Sequence, residues 1–382
     1  YTGSQVTEFA VPLTAAVVLG ADAAQMGVLG AAEMLPPLVF GLIAGALVDR
    51  FRRATLLIWC GAGQGLALAT VPIAAWLGLL ALPQLIAVAF IAASLALLYG
   101  LAAAAYIPVL VDRRQLLAAN SAMYLSDTVP SVVGPGLAGL LVQLLSAPVA
   151  VAADAISFVL AAAMLLATRR HEPAPGPPAR LLRSVRDGVA VFIARPGLWG
   201  PTAALGTQAL FYGGILGLYI LYLVRGLGLT PALLGLVLSV ATFGPMLAAA
   251  GAVPVTRRLG RARAQVLAAG LFAANLLIPL AGGPLWLVLV LLVLARGLVG
   301  LGAVFIGITR LSLMQEVVAA DMLGRVSGIV NLVEWAPLPI GSLVGGVLGQ
   351  LLGLRPALVI LGIGSMAALP WVMVSATRDR DG

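Results

Sequence analysis

Apolar stretches of about twenty residues follow one another along almost the whole chain, separated by short clusters of Arg, Asp, Gly and Pro. A stretch of that length crosses a bilayer as a helix. The short alternating segments of an outer-membrane barrel are absent. Runs and breaks together predict twelve helices, at 1–19, 26–48, 54–78, 83–111, 116–146, 148–168, 197–224, 230–256, 262–281, 284–309, 322–351 and 355–376. The pattern predicts an all-α membrane protein. One break stands apart: Gly45-Ala46-Leu47-Val48-Asp49-Arg50-Phe51-Arg52-Arg53 sets four charges within five residues between the second and third runs. A turn this basic stays on the cytoplasmic side.

That anchor orients the rest. With the first helix running outward, nineteen of the 22 arginines fall in inward loops or the tail, Arg310 among them. Only Arg225 and Arg355 fall outside, and Arg296 lies mid-helix. The split is a positive-inside pattern, so topology alone accounts for the net charge of +8, with no nucleic acid needed. It predicts a multi-pass protein of the cytoplasmic (inner) membrane with both native termini in the cytoplasm. The sequence starts at Tyr1 without an initiator Met, so the first helix is expected to be truncated.

The longest polar connection, 169–196, divides the chain into an N-terminal six-helix bundle (1–168) and a C-terminal one (197–382). Its Pro-rich part reads as an extended linker. Arg180 to Ala194 reads as an amphipathic surface helix with Leu181, Leu182, Val185 and Val189 turned inward. The halves echo each other at an offset of 207 residues. Asp127 meets Glu334, Pro130 meets Pro337, Gly134 meets Gly341, Gly139 meets Gly346 and Gln143 meets Gln350. Six intervening helices make the repeats parallel, an architecture transporters use for alternating access.

Composition narrows the chemistry. The chain is 62% hydrophobic and 9% charged, with a mean hydropathy of +1.10. It has no Lys, so neither a Walker A phosphate loop nor a lysine Schiff base can be built. One Cys and one His leave no disulfide framework and no metal cluster. No nucleophile–base constellation is visible, and neither enzyme activity nor a cofactor is expected.

Charges inside the spans cost about 2.5–3.5 kcal/mol each on insertion scales, so each needs a pair, a proton or water. The set is Glu8, Glu33, Asp127, Asp154, Arg296 and Glu334. Asp127 and Glu334 lie about 16 Å from the cytoplasmic ends of helices five and eleven, half the hydrocarbon depth. With Arg296 they are the first proton-coupling candidates. A static salt bridge between Arg296 and Glu334 is the alternative. Glu8 and Glu33 are reserves, and Asp154 reads as a structural contact. Tyr124, Gln208, Phe211, Tyr212, Asn331 and Trp335 are candidates for a cavity lining suited to bulky amphipathic or cationic compounds. Gly41-x-x-x-Gly45, Gly61-x-x-x-Gly65 and Gly341-x-x-x-Gly345 read as close-packing surfaces.

Gly45-x-x-x-Asp49-Arg50 with Arg52-Arg53 resembles the loop signature of the major facilitator superfamily. Gly134-Pro135-Gly136-Leu137-Ala138-Gly139 resembles the helix-five motif of its exporters, and the first six helices resemble the macrolide-efflux and siderophore-exporter type of drug:proton antiporter. The resemblance implies a fold of twelve helices in two six-helix bundles. It also implies a cytoplasmic latch of Gly45, Asp49, Arg50 and Arg53, with Asp49 capping a helix near Ala320 to Leu323. Arg52 stands where that family usually has Gly, which leaves a left-handed turn there less secure. Pro130, Gly134, Pro135 and Gly139 become a conformational hinge.

The expected function is secondary active export of a lipophilic or amphipathic drug or metabolite by a monomer. Proton antiport would drive it as helices one to six rock against seven to twelve. Alternatives are export of a siderophore or lipid, proton-coupled nutrient import, and a non-transporting membrane scaffold or receptor.

Overall fold

The computed structural model of the chain describes residues 2–110, 115–167, 181–319 and 322–378. No strand occurs among the described residues. The helices are α1 (Thr2–Leu13), α2 (Ala23–Met34), α3 (Pro36–Arg50), α4 (Arg53–Trp76), α5 (Leu82–Leu110), α6 (Leu116–Leu145), α7 (Ala147–Ala167), α8 (Leu181–Ile193) and α9 (Trp199–Leu221). They continue with α10 (Pro231–Ala241), α11 (Phe243–Leu259), α12 (Arg261–Gly270), α13 (Leu277–Leu280), α14 (Leu285–Val317), α15 (Leu323–Trp335), α16 (Pro337–Leu352), α17 (Leu354–Ser365) and α18 (Ala368–Arg378). Eleven helical stretches are long and apolar enough to cross a membrane, and Ser4–Val18 is a shorter apolar helix.

Gly and Pro explain where the predicted helices are cut. The second one breaks at Leu35, ahead of Pro36-Pro37, because a proline ring clashes with the preceding turn. The eighth is cut at Thr242 and the eleventh at Ala336, just before Pro337. The first two breaks are equivalent between the halves, Leu35 and Thr242 being 207 residues apart, whereas α6 is unbroken at Pro130, the counterpart of Pro337. Single π-helical turns end the first and seventh predicted helices, at Thr14–Val18 and Tyr222–Gly226. Each is followed by a glycine with φ of 66°, Gly20 and Gly228. Asp22 then caps α2 by a reciprocal pair of bonds with Gln25: its Oδ1 accepts the Gln25 N–H at 2.8 Å, and its own N–H donates to Gln25 Oε1 at 2.9 Å. The equivalent α10 is capped locally by Thr230, whose Oγ1 accepts the Leu233 N–H at 3.4 Å, and from another helix by Gln143, whose Oε1 accepts the Ala232 N–H at 3.1 Å.

The described chain forms two compact units. The first comprises 1–21, 32–181 and 229–239. Here α4 packs on α7 through Gly65, where a Cβ would stand 3.0 Å from the Ala155 carbonyl oxygen. Likewise α10 crosses α6 with Gly235 and Gly139 backbone to backbone, a Cβ on Gly139 standing 3.1 Å from Gly235 Cα. The second unit comprises 22–31, 182–228 and 240–382, with α9 packed against α15 to α18. Gly345 lies on Gly214 and Gly27 on Gly346, and Ser342 Oγ donates to the Gly27 carbonyl oxygen at 2.9 Å. Helix α8 lies within the predicted surface segment, and of the residues expected to turn inward only the side chain of Val189 is described. Val189 is 36% exposed, while Val191 and Phe192 pack on Leu198 and Met314, and Gly188 rests on the Arg325 backbone.

Candidate functional site

Among the described residues, the charged side chains deep in the spans of the second unit sit on α14 and α15. The arginine pattern predicts a cytoplasmic loop at Arg310, and the structure corrects it. Arg310 lies inside α14, two turns before the helix ends, and is only 9% exposed. Its Nη1 stands 2.9 Å from Glu334 Oε1 on α15. That pairing is why the helix continues past the charge: a compensated guanidinium need not reach water. The apolar run Leu311-Ser312-Leu313-Met314 after it is the signal in the sequence. Glu334 is therefore paired with Arg310 and not with Arg296, as the sequence alternative has it. Arg296 sits between two aromatic rings of α9, its Cζ 5.0 Å from the Tyr212 centroid and 5.2 Å from that of Tyr219. Both distances are within cation–π range. Tyr219 is missing from the sequence candidates, although its seven-residue spacing from Tyr212 puts both on one helix face.

In the first unit, Asp154 is 1% exposed and held from two sides. The Thr7 hydroxyl donates to its Oδ2 and the Ser157 hydroxyl to its Oδ1, the latter at 3.1 Å. These bonds tie α1 to α7. Glu8 is exposed, accepts a long 3.4 Å bond from Gln5 Nε2, and repels the partly buried Glu33. The side chains of Asp49 and Asp127 lie outside the described residues, as do Ala320 and Asp321, so both the Asp49 cap and the Asp127 site fall there.

A family model described as the Major Facilitator Superfamily matches residues 1–337. The chain belongs to that superfamily. It is a membrane transporter, not an enzyme. Its fold is similar to a bacterial homolog of the human lysosomal transporter Spinster (TM-score 0.73, 15% identity, 99% of this chain and 95% of that one). It is also similar to the nucleoside transporter NupG (0.73, 13%, 98% and 96%) and to a bacterial homologue of the iron transporter ferroportin (0.71, 17%, 99% and 95%). No curated protein matches the chain.

The major facilitator loop signature folds without a left-handed turn. Helix α3 ends at Arg50, and Arg52 is extended at φ −63° and ψ 126°, a conformation any residue adopts. Arg50 is exposed and Arg53 partly buried. Gly41 and Gly45 face open space, with no described neighbouring atom within 4 Å of where a Cβ would stand, so this string does not pack helices as expected. In the helix-five motif, α6 runs unbroken through Pro130 and Pro135. Gly134 lies on the Gln5 side chain, and the Gly136 N–H donates to Ser239 Oγ at 2.9 Å. Gln208 and Tyr212 share a face of α9, and Phe211 packs its ring on Gly364. Tyr124, Asn331 and Trp335 are exposed.

Proposed function

We propose that this major facilitator transporter exports a lipophilic or amphipathic small molecule across the cytoplasmic membrane by proton antiport and alternating access. The observation that carries the reading is the Arg310–Glu334 pair inside two membrane-spanning helices. A carboxylate so placed is costly in lipid, yet it can exchange its cation for a proton when water reaches it. Asp127 occupies the equivalent place in the first repeat, and Glu8, Glu33 and Arg296 are further coupling candidates. The helix-five motif favours export over nutrient uptake, and the distribution of arginines favours cytoplasmic termini. In this reading 1–168 and 197–382 are the moving halves of a monomer, and Gly45, Asp49, Arg50 and Arg53 latch the cytoplasmic side.

Proteoliposomes with an imposed pH gradient and a panel of compounds test it, comparing wild type with Glu334→Gln and Asp127→Asn. The expected result is gradient-driven export that Glu334→Gln uncouples. Export indifferent to the gradient removes the proton from the mechanism. No movement of any compound favours the scaffold.

A further inference from the structure

Charged side chains at least two turns inside the spans of the second unit are Arg296, Arg310 and Glu334, among the described residues. Arg310 and Glu334 account for each other at 2.9 Å. Arg296 stands elsewhere on α14, its guanidinium against the faces of Tyr212 and Tyr219.

One turn of α9 away from Tyr212 is a feature that packing leaves unexplained. Gln208 lies one turn before Tyr212 on the same face of α9 and is 4% exposed. Neither its Oε1 nor its Nε2 has a hydrogen-bond partner among the described residues, and the same is true of the buried Tyr219 hydroxyl. Buried polar atoms are almost always paired, and a side-chain amide orphaned at both ends on the helix face that meets a guanidinium is not a packing solution. The guanidinium and the amide N–H are donors, and together they match the oxygens of an anion. A cationic ligand is repelled by Arg296, which already occupies the aromatic faces.

We propose that Arg296 and Gln208 bind the anionic head group, a carboxylate or phosphate, of an amphipathic ligand whose tail lies along the apolar helices. That the ligand is cargo rests on the export reading, with an acidic cargo in place of a cationic one. The test is binding to the purified full chain in nanodiscs of neutral lipid. Its probes are decanoate, decyl phosphate and decyltrimethylammonium, which share one tail and differ in the charge of the head, and its readout is the concentration that half-saturates the thermal shift.

Decanoate and decyl phosphate are expected to saturate at least ten-fold lower than the ammonium. Arg296→Gln should raise the value for both anions about ten-fold and leave the ammonium unchanged, while Arg296→Lys restores part of the difference. Gln208→Glu keeps the guanidinium and provides a check if Arg296→Gln does not fold; it should abolish the anion response. Equal binding of all three probes, or anion binding untouched by these variants, overturns the site. A second arm adds phosphatidylglycerol to the discs. Competition with decanoate supports the site and names a lipid head group as an occupant, and absence of competition supports it with a free acid as the ligand. Anion-selective binding without transport in liposomes sinks the export reading and spares the site, whereas transport without anion preference does the reverse.

Discussion

The two repeats share their punctuation and differ in their interiors. Breaks, π-turns and left-handed glycines recur 207 or 208 residues apart: Leu35 with Thr242, Gly20 with Gly228, Thr14–Val18 with Tyr222–Gly226. Buried polar side chains do not recur. Among the described residues the first unit buries Thr14, Gln64 and Asp154, whereas the second buries Thr202, Gln208, Gln265, Asn275, Thr309, Arg310, Ser342 and Ser365. Chain geometry is set locally by Gly and Pro, so a repeat keeps it through sequence change. A buried charge is set by its partner, and one half can keep a pair that the other lacks. Buried polar chemistry is concentrated in the second repeat.

The sharpest way to break that contrast is to remove one member of its ion pair. Glu334→Ala leaves Arg310 buried without its carboxylate and should cost about 3–5 kcal/mol in unfolding in detergent. The double variant Arg310→Met/Glu334→Leu should recover most of that loss, since an apolar pair of similar volume needs no compensation. Recovery of stability without recovery of gradient-driven transport would assign the pair to function. If the double variant is as unstable as the single one, the pair is an architectural need of this repeat.

A smaller effect separates glycine strings that look alike. A Cβ on Gly341 would fall on the Leu210 carbonyl oxygen, so Gly341→Leu should destabilise by about 1–3 kcal/mol through overpacking. Gly45→Ala meets open space and gains helix propensity, so the same unfolding measurement should change by about 0.5 kcal/mol or less. A large loss from Gly45→Ala would show that this string packs after all.

Those strings mark the reach of the sequence. Spans, proline breaks and the repeat are legible because they follow from local composition and backbone sterics. The pairing of Glu334 is not, because it depends on which face of α14 meets α15. Arg310 reads as a loop residue on the rule that arginines mark cytoplasmic ends, a rule that holds for unpaired charge and fails for a compensated one. Gln208 and Tyr212 stand out as polar positions in an apolar helix, and their one-turn spacing puts them on one face. Tyr124, Asn331 and Trp335 meet the same criterion and lie exposed.

In the first repeat the comparable test is neutral and milder. Asp154→Ala strips the Thr7 hydroxyl of its acceptor at the junction of α1 and α7, while Ser157 keeps the Asp154 backbone carbonyl at 2.8 Å. Losing the acceptor of one partly buried hydroxyl should cost about 1 kcal/mol, while gradient coupling in proteoliposomes is unchanged. Loss of coupling with stability intact would move Asp154 from structure into the proton path.

An effect of the same order probes the repeat itself. Ser146 joins α6 to α7 at φ 110° and ψ 156°, and Gly353, 207 residues later, joins α16 to α17 at φ 89° and ψ 160°. This region is open to glycine and costs any other residue about 1–3 kcal/mol. The second repeat meets the shared geometry with the permitted residue, and the first holds a serine in strain. Ser146→Gly should therefore stabilise the protein by about 1 kcal/mol, because the relieved strain exceeds the roughly 0.5–1 kcal/mol of extra chain entropy that glycine brings. Gly353→Ser should destabilise by a similar amount. Opposite signs from the two exchanges would confirm one shared corner filled in two ways. Destabilisation by Ser146→Gly would mean that the serine side chain contributes something its strained backbone conceals.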